Sequence, residues 1–310
     1  MSYGVFGKAF WWQAEKDPHE VISKFIQVLR DEQDSYYNDI ETFMGLYNGR
    51  PLHSRYAQGS MQYSLLRQPR LTFNIIHSLC QAATSKIAKH RPAVSFLTEG
   101  GNYSQKRKSQ LFGKLMQGQF YSMKMYPVAQ KVFLDACITG TGVIKYYTEF
   151  DKIKAERVPI HEITIDPIEA ETGNMPRQMF QTKKVSRHVL AEMFPEKKDQ
   201  IITAANHDDD EYEEDERFSD MILCHEAWHL PSGPEAKDGR HVICINDVTL
   251  LDDVWEKDHF PFTFIRWTEN PTSFWGNGLA REIKGIQVEI NKLLARIQEQ
   301  MHLATPKVFI

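Results

Sequence analysis

Residues 275–305 read WGNGLAREIKGIQVEINKLLARIQEQMHLAT, and the spacing of their apolar side chains predicts one long helix. Ile283, Ile286, Ile290, Leu293, Leu294, Ile297 and Met301 recur at helical intervals and share one face. The opposite face carries Arg281, Lys284, Gly285, Val288, Lys292, Ala295, Arg296 and Glu299, so its charge is mainly basic. At 1.5 Å per residue such a helix runs about 40 to 45 Å, longer than most in globular proteins. Pro306 stops it. The expectation is that Ile283, Ile286, Ile290, Leu293 and Ile297 pack against protein, while Arg281, Lys284, Lys292 and Arg296 face something anionic. A charged face is also what a helix shows simply because that face is wet. Lining a channel would need many copies arranged by ring symmetry.

The chain ahead of this helix divides by pattern into a helical part and a β-rich part. Asp17-Pro18-His19-Glu20 reads as a capping box with proline at the first helical position, opening a helix over 18–47. A second helix is expected over 70–90, closed by Arg91-Pro92, with a short strand at Ala93 to Leu97. Further helices cover 104–138, and Gly140-Thr141-Gly142 then reads as a turn that requires positive φ. From 143 to 267 strands predominate: 143–147, 160–165, 178–183, 220–230, 240–247 and 260–267, with short helices after Arg187 and Pro195. Residues 207–216, HDDDEYEEDE, form an acidic loop inside that region. Helices first, a β-rich middle and a terminal helix make the fold class α+β.

Composition limits what such a chain does. It has 310 residues, 42% hydrophobic and 25% charged, with 37 Lys and Arg against 41 Asp and Glu and a formal net charge of −4. A protein that grips nucleic acid over its whole surface is usually basic, so any phosphate contact must be local. Cys80, Cys137, Cys224 and Cys244 form no C-x-x-C pair and suit free thiols in a reducing compartment. The start, MSYGVFGKAFWW, lacks signal-peptide character, and no apolar run reaches a membrane span, so a soluble intracellular product without a membrane partner is expected.

One motif invites a catalytic reading. His225-Glu226-Ala227-Trp228-His229 is a literal H-E-x-x-H, which holds zinc when a helix puts both imidazoles on one face and the Glu beside them. The neighbouring Met221-Ile222-Leu223-Cys224 and Leu230-Pro231 read as strand and turn. On a strand, positions 225 and 229 stand about 13 Å apart, too far for one metal. The acidic loop lacks the glycine of a calcium loop, and Gly140-x-Gly142 precedes a strand rather than a phosphate-cradling helix. The expectation is no catalytic residue, no metal and no cofactor.

The order of features resembles the portal proteins of tailed bacteriophages, the head-to-tail connectors. The resemblance rests on Tyr36 to Tyr47 with Asn48-Gly49, on Phe73-Asn74-Ile75-Ile76 to Arg91-Pro92, and on Asp135 to Gly142. It continues through Ile165-Asp166-Pro167 and Glu226-Ala227-Trp228. Its strongest part is Pro261-Phe262, Arg266, Phe274-Trp275-Gly276-Asn277-Gly278-Leu279-Ala280, Gln287 and Glu289-Ile290-Asn291. The resemblance implies a wing domain over 1–270, a stem helix over 271–305, and a clip-like segment beginning at 306–310 whose remainder would belong to a longer product. It implies a ring, normally twelve-fold, at one capsid vertex of the virion, assembled in the host cytoplasm. Double-stranded DNA would pass through the ring during packaging and ejection. The implied partners are other copies of the chain, the terminase large subunit, a head–tail adaptor, and the major capsid and scaffolding proteins. Arg281, Lys284, Lys292 and Arg296 would then face the channel or inter-subunit walls. The rival readings are a zinc hydrolase using His225, Glu226 and His229, and a non-viral helical scaffold or adaptor.

Overall fold

The computed structural model describes residues 10–14, 17–50, 72–91, 93–98, 100–149, 151–171, 173–204, 220–233 and 235–303. The acidic loop at 207–216 and the segment at 306–310 lie outside the described residues. The chain forms two compact units. One comprises Met1–Tyr36, His161–Pro261 and Pro271–Phe274, and the other Tyr37–Ile160, Phe262–Asn270 and Trp275–Ile310. Helix and sheet are both present in the α+β manner expected.

The first unit is built on a five-stranded antiparallel sheet in the order β3-β4-β5-β6-β7. These strands are Ile163–Ile165, Gln178–Ser186, Met221–His229, Arg240–Ile245 and Val248–Val254. Strand alternation sends Phe180, Ala227, Val242 and Cys244 to one face, where α1 (Pro18–Glu32) lays down Ile22, Ile26 and Leu29 with Trp11 beside them. The other face buries Ile222, Cys224, Ile245 and Leu250 against Leu190 and Ala191 of Arg187–Met193 and Ile201 of Lys198–Thr203, the helices α6 and α7. Buried Arg187 holds this second layer. It donates to the carbonyls of Ile201, Ile202 and Ala204 at the end of α7 and pairs with Asp220, answering carbonyls that a helix end leaves without partners.

The second unit contains most of α2 (Asp34–Tyr47), then α3 (Ile75–Ala88), α4 (Tyr103–Ser122), α5 (Met125–Thr139) and α8 (Leu279–Leu303). A three-stranded antiparallel sheet joins them in the order β2-β1-β8, from Lys152–Val158, Thr141–Glu149 and Phe262–Arg266. Its core gathers Phe43 and Leu46, Ile76 and Cys80, Cys137 and Ile138, and Ala280.

Several expected elements take a different form. The helix expected over 18–47 breaks at Gln33, whose amide donates to the carbonyls of Leu29 and Ile165 at 3.0 and 2.8 Å. The capping box at Asp17 does not form. That residue is left-handed at φ 49°, and its carbonyl rather than its carboxylate accepts from Glu20. The segment 93–98 forms no strand, and the Phe96 carbonyl there accepts from the Ser109 hydroxyl of α4. The helix expected over 70–90 begins at Ile75, where the Asn74 side chain caps the His77 amide at 3.0 Å. Within 160–165 only the last three residues are strand, after a 3-10 turn at Ile160–Glu162. Strands β2 and β7 do not show in the residue pattern. Both are edge strands whose Lys, Glu and Asp residues guard them from further pairing and mask the alternation.

The turn before β1 seats the last helix. Gly140 closes α5 at φ +100°, and a Cβ there would stand 2.0 Å from the carbonyl oxygen of Gly276. A Cβ on Gly276 would in turn stand 2.5 Å from the Gly140 carbonyl oxygen. Around this close approach Trp267 N donates to Gly140 O at 3.0 Å, Gly276 N to Thr141 Oγ1 at 2.9 Å, and Asn277 N to Thr268 O at 2.9 Å. The loop is thereby stitched down, and α8 begins at Leu279 rather than Trp275. Gly140→Ala is expected to destabilise the protein by about 3 kcal/mol or more, from combined φ strain and backbone collision. Gly285→Ala, in open space on α8, should be neutral or stabilising by up to about 1 kcal/mol. Denaturant unfolding of the two variants side by side measures the difference.

Candidate functional site

Helix α8 has 25 residues and a length of about 37 Å. It presents three faces. The first rests on the chain itself and runs through Ala280, Ile283, Lys284, Gln287, Asn291 and Leu294, buried or half-buried at helical spacing. At its centre Gln287 is 2% exposed. Its Oε1 accepts from the Ile76 amide at 2.9 Å, in the first turn of α3, and its Nε2 donates to the Leu46 carbonyl at 3.5 Å, near the end of α2. Asn291 Oδ1 accepts from Phe73 N at 2.8 Å, and Asn74 Nδ2 donates to the Tyr47 carbonyl at 2.8 Å. Amide side chains thus satisfy backbone groups that the start of one helix and the end of another leave open.

The second face is apolar and exposed. Ile286 is 59% exposed, Leu293 54% and Ile297 52%, although hydropathy alone groups them with Ile283 and Ile290. Ile283 packs into the core of the unit and Ile290 is half-buried. The third face carries the basic residues. Arg281, Lys292 and Arg296 are exposed, with Arg281 donating to Asn277 Oδ1 at 3.3 Å and Lys292 pairing with Glu289 at 2.7 Å. Lys292 holds the Glu289 carboxyl below its usual range. Lys284 differs: it is half-buried, 3.8 Å from Asp39 and 5.5 Å over the Phe43 ring of α2.

The H-E-x-x-H segment lies in β5, so the helix its metal chemistry requires is not formed. His225 and His229 point to the face covered by α1 and by residues 10–14. His225 is bonded to Thr182 at 3.0 Å and Asn246 at 3.1 Å, and His229 is stacked on Trp12 at 4.1 Å. Glu226 points to the other face and meets His241 at 2.9 Å. The two imidazoles and the carboxylate are therefore on opposite sides of one sheet. Among the described residues no group of three or more His, Cys, Asp or Glu is placed to hold a metal. Cys80 and Cys137 are buried thiols pushed up to about 11 and about 12 by desolvation, the reverse of an activated nucleophile. No described helix is long and apolar enough to cross a membrane.

Sequence reasoning misses Gln287 as a buried residue. Its signal is its position between two apolar stripes, opposite helix ends in need of partners. Gln287→Leu keeps the volume but orphans the Ile76 amide, so a loss of about 1 to 3 kcal/mol is expected by urea unfolding. His225 supplies a pH test. Burial lowers its pKa from 6.5 to about 4, so the unfolded chain binds the proton more readily. The stability it contributes is complete above pH 6.5 and is lost as pH falls toward 4. Between neutral pH and about pH 4.5 that loss is about 2 to 3 kcal/mol, and His225→Gln should flatten it in unfolding curves.

The sequence model of the phage P22-like portal protein family matches residues 30–259, most of the chain, and ends short of α8. No individually curated protein matches. A family with a structural role agrees with an H-E-x-x-H that is dismantled across a sheet and with buried, protonated thiols. The chain belongs to the phage P22-like portal proteins, a structural rather than enzymatic family of the virion capsid.

Proposed function

We propose that this chain is one subunit of a portal ring, through which double-stranded DNA moves during packaging and ejection. The observation that carries the reading is the three-faced α8. One face is committed to its own chain, and an apolar and a basic face remain exposed. Family membership supports a ring in general terms, and a ring subunit meets its two neighbours through two different surfaces. Ile286, Leu293 and Ile297 are what a neighbouring copy would cover, at about 25 cal/mol for each Å² of apolar surface removed from water. Arg281, Lys292 and Arg296 are left for the channel or the walls between subunits, with Lys284 anchoring the helix to α2. Because the family match stops before α8, the stem assignment rests on the helix itself.

Electrostatics support a conduit over a clamp. Each phosphate neutralised releases counterions and adds affinity, so a densely basic lining would stall moving DNA. Three exposed cations on a helix of about 37 Å, in a chain of net charge −4, form a sparse lining. A twelve-fold ring at one capsid vertex is the arrangement we infer, and it would dock the terminase large subunit and a head–tail adaptor at its ends. Major capsid and scaffolding proteins would surround it.

Negative-stain microscopy of the purified chain, read for rotational symmetry, tests the proposal. A closed ring with a central hole and about twelve-fold symmetry is expected. Replacing Ile286, Leu293 and Ile297 together by Ser should abolish the ring while shifting subunit stability by no more than about 1 kcal/mol, because these side chains are exposed in the single chain. Rings that persist in this variant overturn the assignment of the apolar face. Reversing Arg281, Lys292 and Arg296 to Glu should leave rings intact and reduce the DNA retained in heads, and unchanged packaging overturns the channel assignment.

A further inference from the structure

Helix α4 has 20 residues and no buried side chain. It packs on α5 and meets its own chain along a narrow seam of Ser109, Gly113, Met116 and Phe120. A second row repeats that spacing on the outward side: Tyr103, Arg107, Gln110, Lys114, Gln117 and Tyr121. All are exposed, the terminal tyrosines by 81% and 87%. Each side chain in the row carries a hydrogen-bond donor, and none is an acid. Lys106 and Lys108 flank it, so α4 holds four cations and no Asp or Glu. Among the described residues none of the four is in an ion pair.

An ordinary wet helix mixes both signs of charge, as α1 does with Glu20 beside Lys24. A row with a donor on every side chain and no acid is unusual in a chain whose acids outnumber its Lys and Arg, 41 to 37. Its chemistry matches phosphodiester oxygens. Arginine and lysine supply charge-assisted bonds, and the glutamine amides and tyrosine hydroxyls supply neutral donors. From Tyr103 to Tyr121 the row spans about 27 Å, within one turn of duplex at about 34 Å. The neighbouring flank of Leu111, Phe112 and Leu115 is apolar and exposed, a surface of a different kind.

We propose that the α4 row is a second binding surface for the backbone of double-stranded DNA, separate from α8 and independent of base sequence. It relies on the portal reading only for the identity of the polyanion. The test uses the full chain and a short fluorescein-labelled duplex, with anisotropy titrations across a range of salt. Arg107→Gln with Lys114→Gln should reduce the slope of log K against log salt by about 2, close to one for each phosphate left without its cation. Affinity at about 0.1 M salt should fall by roughly tenfold or more. Leu115→Ser, on the apolar flank, should leave the slope unchanged. Lys292→Gln with Arg296→Gln should reduce it separately and additively, since the two surfaces share no residue. Circular dichroism confirms that each variant is folded.

An unchanged slope for the folded Arg107 and Lys114 variant overturns the proposal. So does weakened self-association in sedimentation velocity with DNA binding intact, which assigns the row to an acidic protein surface. Absence of rings by microscopy counts against the portal reading and leaves the α4 slope to stand or fall alone.

Discussion

The second unit depends on a backbone-to-backbone approach that three glycines, Gly140, Gly276 and Gly278, permit. At Gly140 the chain must end α5, turn with positive φ, and enter β1 with the Gly276 carbonyl pressed against its Cα. Both sides need the missing side chain, and three hydrogen bonds around them fix where α8 begins. Without that approach the loop at 275–278 would stand off, Ala280 would leave the core, and Gln287 would no longer reach two helix ends. A close backbone approach in a turn thus seats the start of a helix about 37 Å long.

Once seated, α8 is oriented by polar demand as well as by the apolar packing of Ala280 and Ile283. Burying Ile286 instead of Gln287 would turn the helix by about 100° and gain apolar burial of at most about 3 kcal/mol. It would leave the Ile76 amide without its Gln287 acceptor, at about 1 to 3 kcal/mol, while the Leu46 carbonyl keeps its bond from Gly49 N at 3.1 Å. The two terms are of similar size, and Gln287 in addition reaches the ends of two helices from one position. The consequence is a stripe of Ile286, Leu293 and Ile297 displaced to the outside, exposed among the described residues. Function, on this reading, follows from an accounting of backbone hydrogen bonds.

Much of this is legible in the residues, and the illegible parts have physical causes. The apolar spacing of α1, α5 and α8 and the positive φ of Gly140 can be read locally, because each depends on neighbours within a few positions. The break at Gln33 cannot, since the Ile165 carbonyl that its side chain meets there is far away in sequence. Strands β2 and β7 hide behind the charges that protect their edges. Residues 93–98 have strand composition and form no strand, because composition does not supply a partner. The seat of α8 is hidden in the same way: Gln287 looks like one more polar residue until the ends of α2 and α3 are placed beside it. The basic residues of the candidate site are visible as residues, but Lys284 meets Asp39 and Phe43, and only the fold reveals that.

The distribution of charge ties the local geometry to the proposed conduit. In a protein with more acids than Lys and Arg, DNA is repelled on average, so any attraction must be set against a repulsive background. Long-range attraction would hold DNA from a distance, whereas short rows of donors act only within about a Debye length, near 8 Å at physiological salt. A strand passing such a surface feels a shallow, repeated potential instead of one deep well. The exposed cations of α8 and the row of α4 are both of this local kind: on α8 Lys292 pairs with Glu289, and among the described residues the α4 cations are in no ion pair. On the proposed reading, an overall acidic chain would confine its meeting with phosphates to a few helix faces, as touching DNA without stopping it would require.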